Sequence, residues 1–220
     1  MIRHHPSDAV LEQGASGSLS PGAALVVATH AERCSACRSG LRELEARCGV
    51  ALDGLPPSNL SDGALRRTVA RLEDARPSDP EPAPPAAGAL RASLPAGMAW
   101  PRSLLEAHTS RWRRLGVGVR WCRVRLPLHR EANVFLVRAA PGRGLPRHGH
   151  LGVEMTQVLF GAFDDGVAPF AAGDFEQAGG GVRPRPVVSA VGECVCLVAV
   201  DGRTSFDGPL ARLVGALLGV

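Results

Sequence analysis

The chain has 220 residues, enough for one large domain or two modest ones that each bury a core. All 25 basic residues are arginines, against 21 acidic ones, but the arginines from Arg120 to Arg125 alternate with apolar residues, as on a solvated strand face. We therefore expect no direct nucleic-acid binding. No run approaches the roughly 18 apolar residues of a membrane helix, and the first residues lack the apolar core of a signal peptide. These features predict a cytoplasmic protein without membrane attachment, in which clustered cysteines favour metal over disulfides.

The first 50 residues carry two helix signals. Ser7 predicts the N-cap of a helix through 8–13. Ser20-Pro21 has the form of an N-cap followed by proline at the first helical position, and it precedes a long amphipathic run over 22–48. A break in that run is expected near Ser39-Gly40.

A further helix is predicted over 61–73. Ser61 is the expected N-cap, and Leu65, Val69 and Leu72 form an apolar stripe at steps of four and three. The region is small and contains no aromatic residue. We therefore expect part of this apolar face to be exposed and available to a partner.

The most informative pattern in this half is His30-x3-Cys34-x2-Cys37, together with the pair His4-His5 near the start of the chain. On one helix at about 100° per residue, the three side chains of the first pattern would share a face. Two thiolates and an imidazole suit zinc, and a structural zinc site needs a fourth nitrogen or sulfur ligand. His4 or His5 is the nearest candidate. The alternative is a helix that carries these residues on its inner face by chance.

A proline-rich segment follows. Residues 76–88 contain five prolines in thirteen positions and no large apolar side chain, which is typical of a semi-extended linker. We predict a helical domain over 1–76, a linker over 77–94 and a second domain over 95–220. The linker predicts that the two domains are structurally independent.

The second half changes to short β-rich runs separated by turns that contain proline and glycine. Such punctuation favours an antiparallel barrel or sandwich, and a helix over 210–218 is expected to close one end. Cys194 and Cys196 share one face of a strand and are interpreted as small core residues rather than a redox pair. The predicted strands are Val119–Leu126, Ala132–Arg138, Met155–Phe160 and Cys194–Val200.

A second metal pattern lies in this half, at His148-x-His150-x3-Glu154. Alternate residues of a strand point to one side, and two imidazoles with a carboxylate can bind zinc or another divalent ion. The run from Gly142 to Gly161 resembles the first signature of a cupin. No histidine follows His150, so the site either uses three protein ligands and water or has lost its metal.

The chain as a whole resembles the ChrR-type zinc-binding anti-sigma factors. The resemblance rests on the leading histidine pair, the His-x3-Cys-x2-Cys pattern, the cupin signature and the segment Glu193–Leu197. It implies an α+β protein with two domains, a small zinc-bound helical domain followed by an antiparallel cupin β-barrel. It also implies that His5 rather than His4 completes the zinc site with His30, Cys34 and Cys37.

The resemblance implies a function in regulation. The helical domain would bind an extracytoplasmic-function-type (ECF) sigma factor and block its access to core RNA polymerase. The cupin domain would mediate release on oxidative stress, by singlet oxygen or organic peroxide. The sequence departs from the family near Pro184, where relatives carry the fourth cupin ligand.

Two other functions compete with regulation by protein contact. A cupin metalloenzyme, a dioxygenase or isomerase, would need an open metal site with a substrate pocket. A zinc-dependent DNA-binding regulator would need a basic recognition helix, of which Arg66, Arg67 and Arg71 are a weak version. We therefore expect a regulator and not an enzyme.

Overall fold

The computed structural model describes residues 1–74, 95–145, 152–179 and 186–202, and the backbone alone at 148–150 and 204–206. The predicted linker and the predicted helix over 210–218 lie outside these residues. Within the described residues, no helix is long and apolar enough to cross a membrane. The N-terminal helices are α1 (Asp8–Ala15), α2 (Pro21–Arg33), α3 (Ser35–Asp53) and α4 (Ala64–Asp74).

The first two helices begin where the sequence predicts. The Ser7 hydroxyl accepts a hydrogen bond from the backbone N–H of Val10, and Ser20 caps α2 in the same way, with Pro21 at the first position. These two capping predictions are confirmed.

The predicted break near Ser39-Gly40 is wrong. The chain leaves helical geometry at Cys34, with φ −103° and ψ 107°, and α3 begins at the next residue. The sulfur of Cys34 accepts the backbone N–H of Cys37 at 3.5 Å and so serves as the N-cap of α3. Ser39 and Gly40 lie inside the continuous helix α3.

Helix α4 begins at Ala64, three residues later than predicted. The Ser61 hydroxyl instead accepts a hydrogen bond from the side chain of Arg67. No residue of α4 is buried, and Leu65 and Leu72 are 77% and 71% exposed. The expected exposed apolar face is therefore present.

The C-terminal half is built of short strands, and the four predicted strands correspond to β3, β4, β6 and β11. The described strands are β1 (His108–Thr109), β2 (Arg113–Gly116), β3 (Val119–Arg125), β4 (Val134–Ala139), β5 (His148–His150), β6 (Val153–Phe160), β7 (Ala162–Asp164), β8 (Pro169–Ala171), β9 (Phe175–Ala178), β10 (Val187–Val188), β11 (Cys194–Asp201) and β12 (Thr204–Phe206).

All strand pairs among the described residues are antiparallel, as predicted. The large sheet has the order β1-β3-β4-β11-β6-β9, with β2 also on β3, and two smaller sheets contain β10-β7-β8 and β12-β5. The predicted closure into a barrel is wrong for the described residues. Strand β9 and the β1/β2 edge end the large sheet without pairing to each other, so the sheet stays open there.

The large sheet is buried on both faces. One row crosses four strands, from Cys122 through Leu136 and Leu197 to Gln157, and none of these side chains reaches solvent. The face of the sheet that carries this row, here called the outer face, packs against α2. The opposite, inner face contributes to a second apolar cluster, which contains Val119, Ala139, Val158, Cys194 and Cys196.

Helix α2 joins the two halves of the chain. Its Val26 and Val27 belong to the same apolar cluster as the outer face of the sheet. The Ser20 hydroxyl donates to Asp201 at 2.6 Å, and the carboxylate of Glu32 accepts backbone N–H groups at the 3₁₀ helix Arg102–Leu104. The expectation that the halves are structurally independent is therefore wrong, because a linker that cannot pack does not prevent its flanking segments from sharing a core.

Candidate metal centre

Four short segments position the four residues predicted to bind zinc. His30 lies in the last turn of α2, Cys34 is the junction residue, Cys37 lies in the first turn of α3, and His5 comes from the segment before α1. The prediction that His30, Cys34 and Cys37 share one continuous helix is wrong, because the chain turns at Cys34. The turn nevertheless brings one nitrogen or sulfur atom of each residue within 4.8 Å of the others.

The distances between these atoms fit a tetrahedral ion. The Nδ1 atom of His5 lies 3.4 Å from the sulfurs of both Cys34 and Cys37. A tetrahedral zinc with Zn–S of about 2.3 Å and Zn–N of about 2.05 Å would separate such atoms by about 3.6 Å. The Nε2 atom of His30 is buried and has no hydrogen-bond partner among the described residues. A buried polar atom of this kind needs a partner, and a cation at the centre of the cluster would supply it.

The electrostatics of the cluster agree with this interpretation. Burial, with the neighbouring Cys34 thiol, raises the pKa of Cys37 to about 12, so the protein alone does not favour the thiolate. A bound divalent cation deprotonates a coordinating thiol outright. Burial lowers the pKa of His30, which keeps the imidazole neutral and its lone pair available.

His4 lies outside the cluster. Its Nε2 atom is 3.1 Å from the carbonyl oxygen of Pro169, and its ring centroid lies 4.4 Å from that of Phe170. Of the leading histidine pair, His5 is thus the one whose ring faces the two sulfurs.

Asp174, just before β9, was not identified from the sequence and holds the segment that carries His5. One carboxylate oxygen of this buried side chain accepts the backbone N–H groups of Arg3 and His4 at 2.6 and 3.1 Å. Burial alone would raise the pKa of Asp174, but hydrogen bonds from the N–H groups of Arg3, Ala171 and His4 lower it overall. The carboxylate therefore stays ionised and keeps the N-terminal segment on the sheet.

Gln157 is the second residue that sequence reasoning missed. Its Oε1 atom lies 2.9 Å from Nδ1 of His30, and its Nε2 atom donates to the carbonyl oxygen of Val158 at 3.1 Å. One signal was available in the sequence. A glutamine inside the β-rich run Met155–Phe160, directly before three large apolar residues, must find a partner if that strand is buried.

The second predicted metal site is described only in part. His148 and His150 are the end residues of β5, which pairs with β12, and their side chains lie outside the described residues. Glu154 lies on β6, where its carboxylate is 3.4 Å from the hydroxyl of Thr156. The metal site formed by these three residues stays a prediction.

Cys194 and Cys196 lie on the inner face of the large sheet with their sulfurs 3.6 Å apart. Both residues are buried and their thiols are free. A hydrogen bond with Cys194, burial and the carboxylates of Glu176 and Glu154 raise the pKa of Cys196 well above its usual value. The Cys196 thiol therefore stays protonated, and both side chains pack in the core, as predicted.

Fold and site together define a class of protein in which a helical module with a four-residue metal cluster packs on an antiparallel cupin-like sheet. Residues 101–202 match the family model of the ChrR cupin-like domain. The chain is 39% identical over 213 residues to the anti-sigma-E factor ChrR of Cereibacter sphaeroides, which covers 97% of this chain and 96% of the relative.

A solved structure agrees with this relationship. The crystal structure of Rhodobacter sphaeroides SigE in complex with the anti-sigma ChrR matches with a TM-score of 0.71 and 37% identity, over 91% of this chain and 100% of the matched one. This chain therefore belongs to the ChrR family of anti-sigma factors.

Proposed function

We propose that this protein binds an ECF-type sigma factor through its helical module, residues 1–74, and keeps that factor from core RNA polymerase. The matched relative is named an anti-sigma-E factor, and the matched structure contains a sigma factor with its anti-sigma partner. The observation that assigns the proposed binding to particular residues is the set of exposed apolar side chains on α3 and α4.

Most of the exposed large apolar side chains of the helical module lie in one stretch of the chain, residues 50–72. The C-terminal half of α3, the connection to α4 and α4 itself present large apolar side chains that nothing in the described chain covers. They are Val50, Leu52, Leu55, Leu60, Leu65, Val69 and Leu72. An isolated helix of eleven residues is marginal in water, and its stability normally comes from packing an amphipathic face. A partner that supplies the missing surface completes this part of the fold.

Charge is segregated from the apolar stripe of α4. At about 100° per residue, Arg67 and Arg71 lie roughly opposite the stripe of Leu65 and Leu72. Such a helix fits an apolar groove on a partner, with its basic side left in solvent. This arrangement favours protein binding over a nucleic-acid contact, for which the basic side would have to carry the interface.

Zinc is the metal that we propose for the cluster of His5, His30, Cys34 and Cys37. Two thiolates and two imidazoles satisfy a closed tetrahedral site, which is structural rather than catalytic. When bound, the ion would supply a fixed cross-link between the N-terminal segment and the α2–α3 corner. The four residues would then fix the orientation of α3 and so the position of the exposed apolar residues at its C-terminal end.

The cupin-like half is proposed to mediate release of the sigma factor on oxidative stress, by singlet oxygen or organic peroxide. We propose that His148, His150 and Glu154 hold a second zinc or other divalent ion, more exchangeable than the first because only three protein ligands are available. Glu154 lies on the inner face of the large sheet, and α2 packs on the outer face. A structural change in the sheet therefore reaches the helical module through direct contacts. We propose a cytoplasmic regulator and no enzymatic activity.

The experiment that tests the proposal compares one double surface variant with one control variant. The double variant Leu65→Asp/Leu72→Asp places two charges on the α4 stripe and should weaken binding of an ECF sigma factor from the same genome by about 100-fold. The control is Val191→Asp, because this apolar residue is 98% exposed on the other half. It should bind and inhibit like the unmodified protein. Unchanged sigma binding by the α4 variant would contradict the proposed surface.

A further inference from the structure

We propose that Gln157 is a positioning residue of the metal centre, through which the C-terminal sheet sets how tightly the helical module holds its ion. The inference rests on the proposed zinc site. It adds a residue that binds no metal itself and belongs to the other half of the chain, 127 positions from the histidine it contacts.

The first step is the tautomer of His30. A metal-binding histidine usually donates its second ring N–H to an oxygen acceptor, which fixes the ring and raises the basicity of the ligating nitrogen. The amide nitrogen of Gln157 is already used on the carbonyl of Val158, so its oxygen faces Nδ1 of His30. Nδ1 then carries the proton, and the lone pair lies on Nε2, the buried atom that has no hydrogen-bond partner among the described residues.

The second step is the rigidity of Gln157. The residue is 0% exposed and lies at the end of the apolar row that begins at Cys122. Its backbone pairs with Leu197 on one side and with Phe175 on the other. The amide therefore cannot follow His30 if α2 shifts on the sheet, and such a shift breaks the hydrogen bond.

The third step is a second support on the neighbouring strand. Phe175, the register partner of Gln157, donates its backbone N–H to the carbonyl oxygen of His4 at 3.0 Å. Asp174 binds the N–H groups of the same segment. Adjacent strands thus position His30 and the segment of His5, two of the residues that would hold the ion.

Metal binding and docking of α2 on the sheet are coupled by this geometry. Because the coupling is reciprocal, whatever loosens the sheet from α2 weakens the hold on the metal, and loss of the metal weakens the docking by the same factor. The contact between Gln157 and His30 thereby links the sheet of the proposed sensor half to the metal centre of the inhibitory half.

The test uses the full-length, zinc-loaded protein. Gln157→Leu removes the acceptor and keeps the volume, and the zinc affinity, measured by competition with a chromogenic chelator, should fall by about 10- to 100-fold. Gln157→Glu restores an acceptor and should bind zinc at least as tightly as the unmodified protein. Gln177→Leu is the matched control, because this glutamine is exposed on β9, and its affinity should stay within about twofold.

Cobalt substitution supplies a readout that a general loss of stability would not move. All Gln157 variants should retain the absorption of a tetrahedral S₂N₂ site, and Gln157→Leu should shift its bands and exchange its ion faster. If the Gln157→Leu protein aggregates, Gln157→Asn gives the same test, because it withdraws the amide oxygen by one carbon.

The outcomes separate the inference from the proposal beneath it. If the unmodified protein binds zinc tightly and Gln157→Leu binds it equally well, the role of Gln157 is wrong and the zinc site stands. If the unmodified protein binds no stoichiometric metal, the zinc site is wrong and the role of Gln157 with it.

Discussion

Helices α2 and α4 have similar lengths, 13 and 11 residues, but opposite surroundings. Val26 of α2 is 0% exposed because it packs on the sheet, whereas Val69 of α4 is 41% exposed and α4 has no buried residue at all. The comparison separates two tasks within one small module. Helix α2 anchors the proposed metal cluster to the rest of the protein, and the apolar surface of α4 is the one that we propose for the partner.

The largest effect is expected from removing the metal. The double variant Cys34→Ser/Cys37→Ser should lose its zinc and its sigma-factor binding together, because zinc sites of this kind supply a large part of the folding free energy of small modules. Metal analysis and a binding assay measure the two losses. Cys48→Ser is the control, since Cys48 is an exposed cysteine of α3 outside the cluster. Retention of one zinc per chain with full inhibition in the double variant would contradict this claim.

The same substitution in the two helices sharpens the comparison. Val26→Ala should lower the free energy of unfolding by about 2 kcal/mol, because it deletes buried methyl groups and leaves a cavity. Val69→Ala should change it by less than about 0.5 kcal/mol, since the side chain is partly solvated on a helix with no buried residue. Denaturant unfolding measures both.

In a sigma-binding assay the order should reverse, with the larger loss at Val69→Ala. Equal stability changes for the two variants would show that the two helices do not differ as described.

A smaller effect tests where the helices begin. Ser7→Ala removes the hydroxyl that caps α1 and should cost about 1 kcal/mol of stability. Ser61→Ala should cost clearly less, because α4 begins at Ala64 and the hydroxyl of Ser61 contacts only an exposed arginine. Thermal unfolding of the two variants side by side makes the comparison. A larger loss at Ser61 would restore the helix start predicted from the sequence.

Local signals predicted local structure well. Ser7 and Ser20-Pro21 marked two helix starts, and the β-rich runs marked the central strands, because caps and side-chain periodicity act within a few residues. The break at Cys34 was missed because a sulfur is an unusual N-cap and the spacing from His30 also fits an unbroken helix. Local spacing therefore identified the cysteines of the cluster but not the path of the chain between them.

The features that the sequence did not predict depend on contacts between distant segments. The composition of 76–88 predicts a linker but carries no information on whether α2 packs on the sheet. Likewise, Asp174 and Gln157 contact residues more than a hundred positions away, so no spacing rule reveals them. The strand and turn pattern predicted an antiparallel sheet and the cupin resemblance a barrel, but closure depends on pairing between the first and last strands, which the motif does not specify.

The most direct test of the account is amide hydrogen exchange of the full-length protein, alone and bound to its sigma factor. Amides of α2 should be protected in both states, because this helix is buried on the sheet. Amides of α4 should exchange rapidly in the free protein and become protected in the complex, because the partner covers the exposed apolar face. If α4 exchanges equally fast in the complex, or if the sigma factor instead alters the protection of α2, the division of tasks between the two helices is wrong.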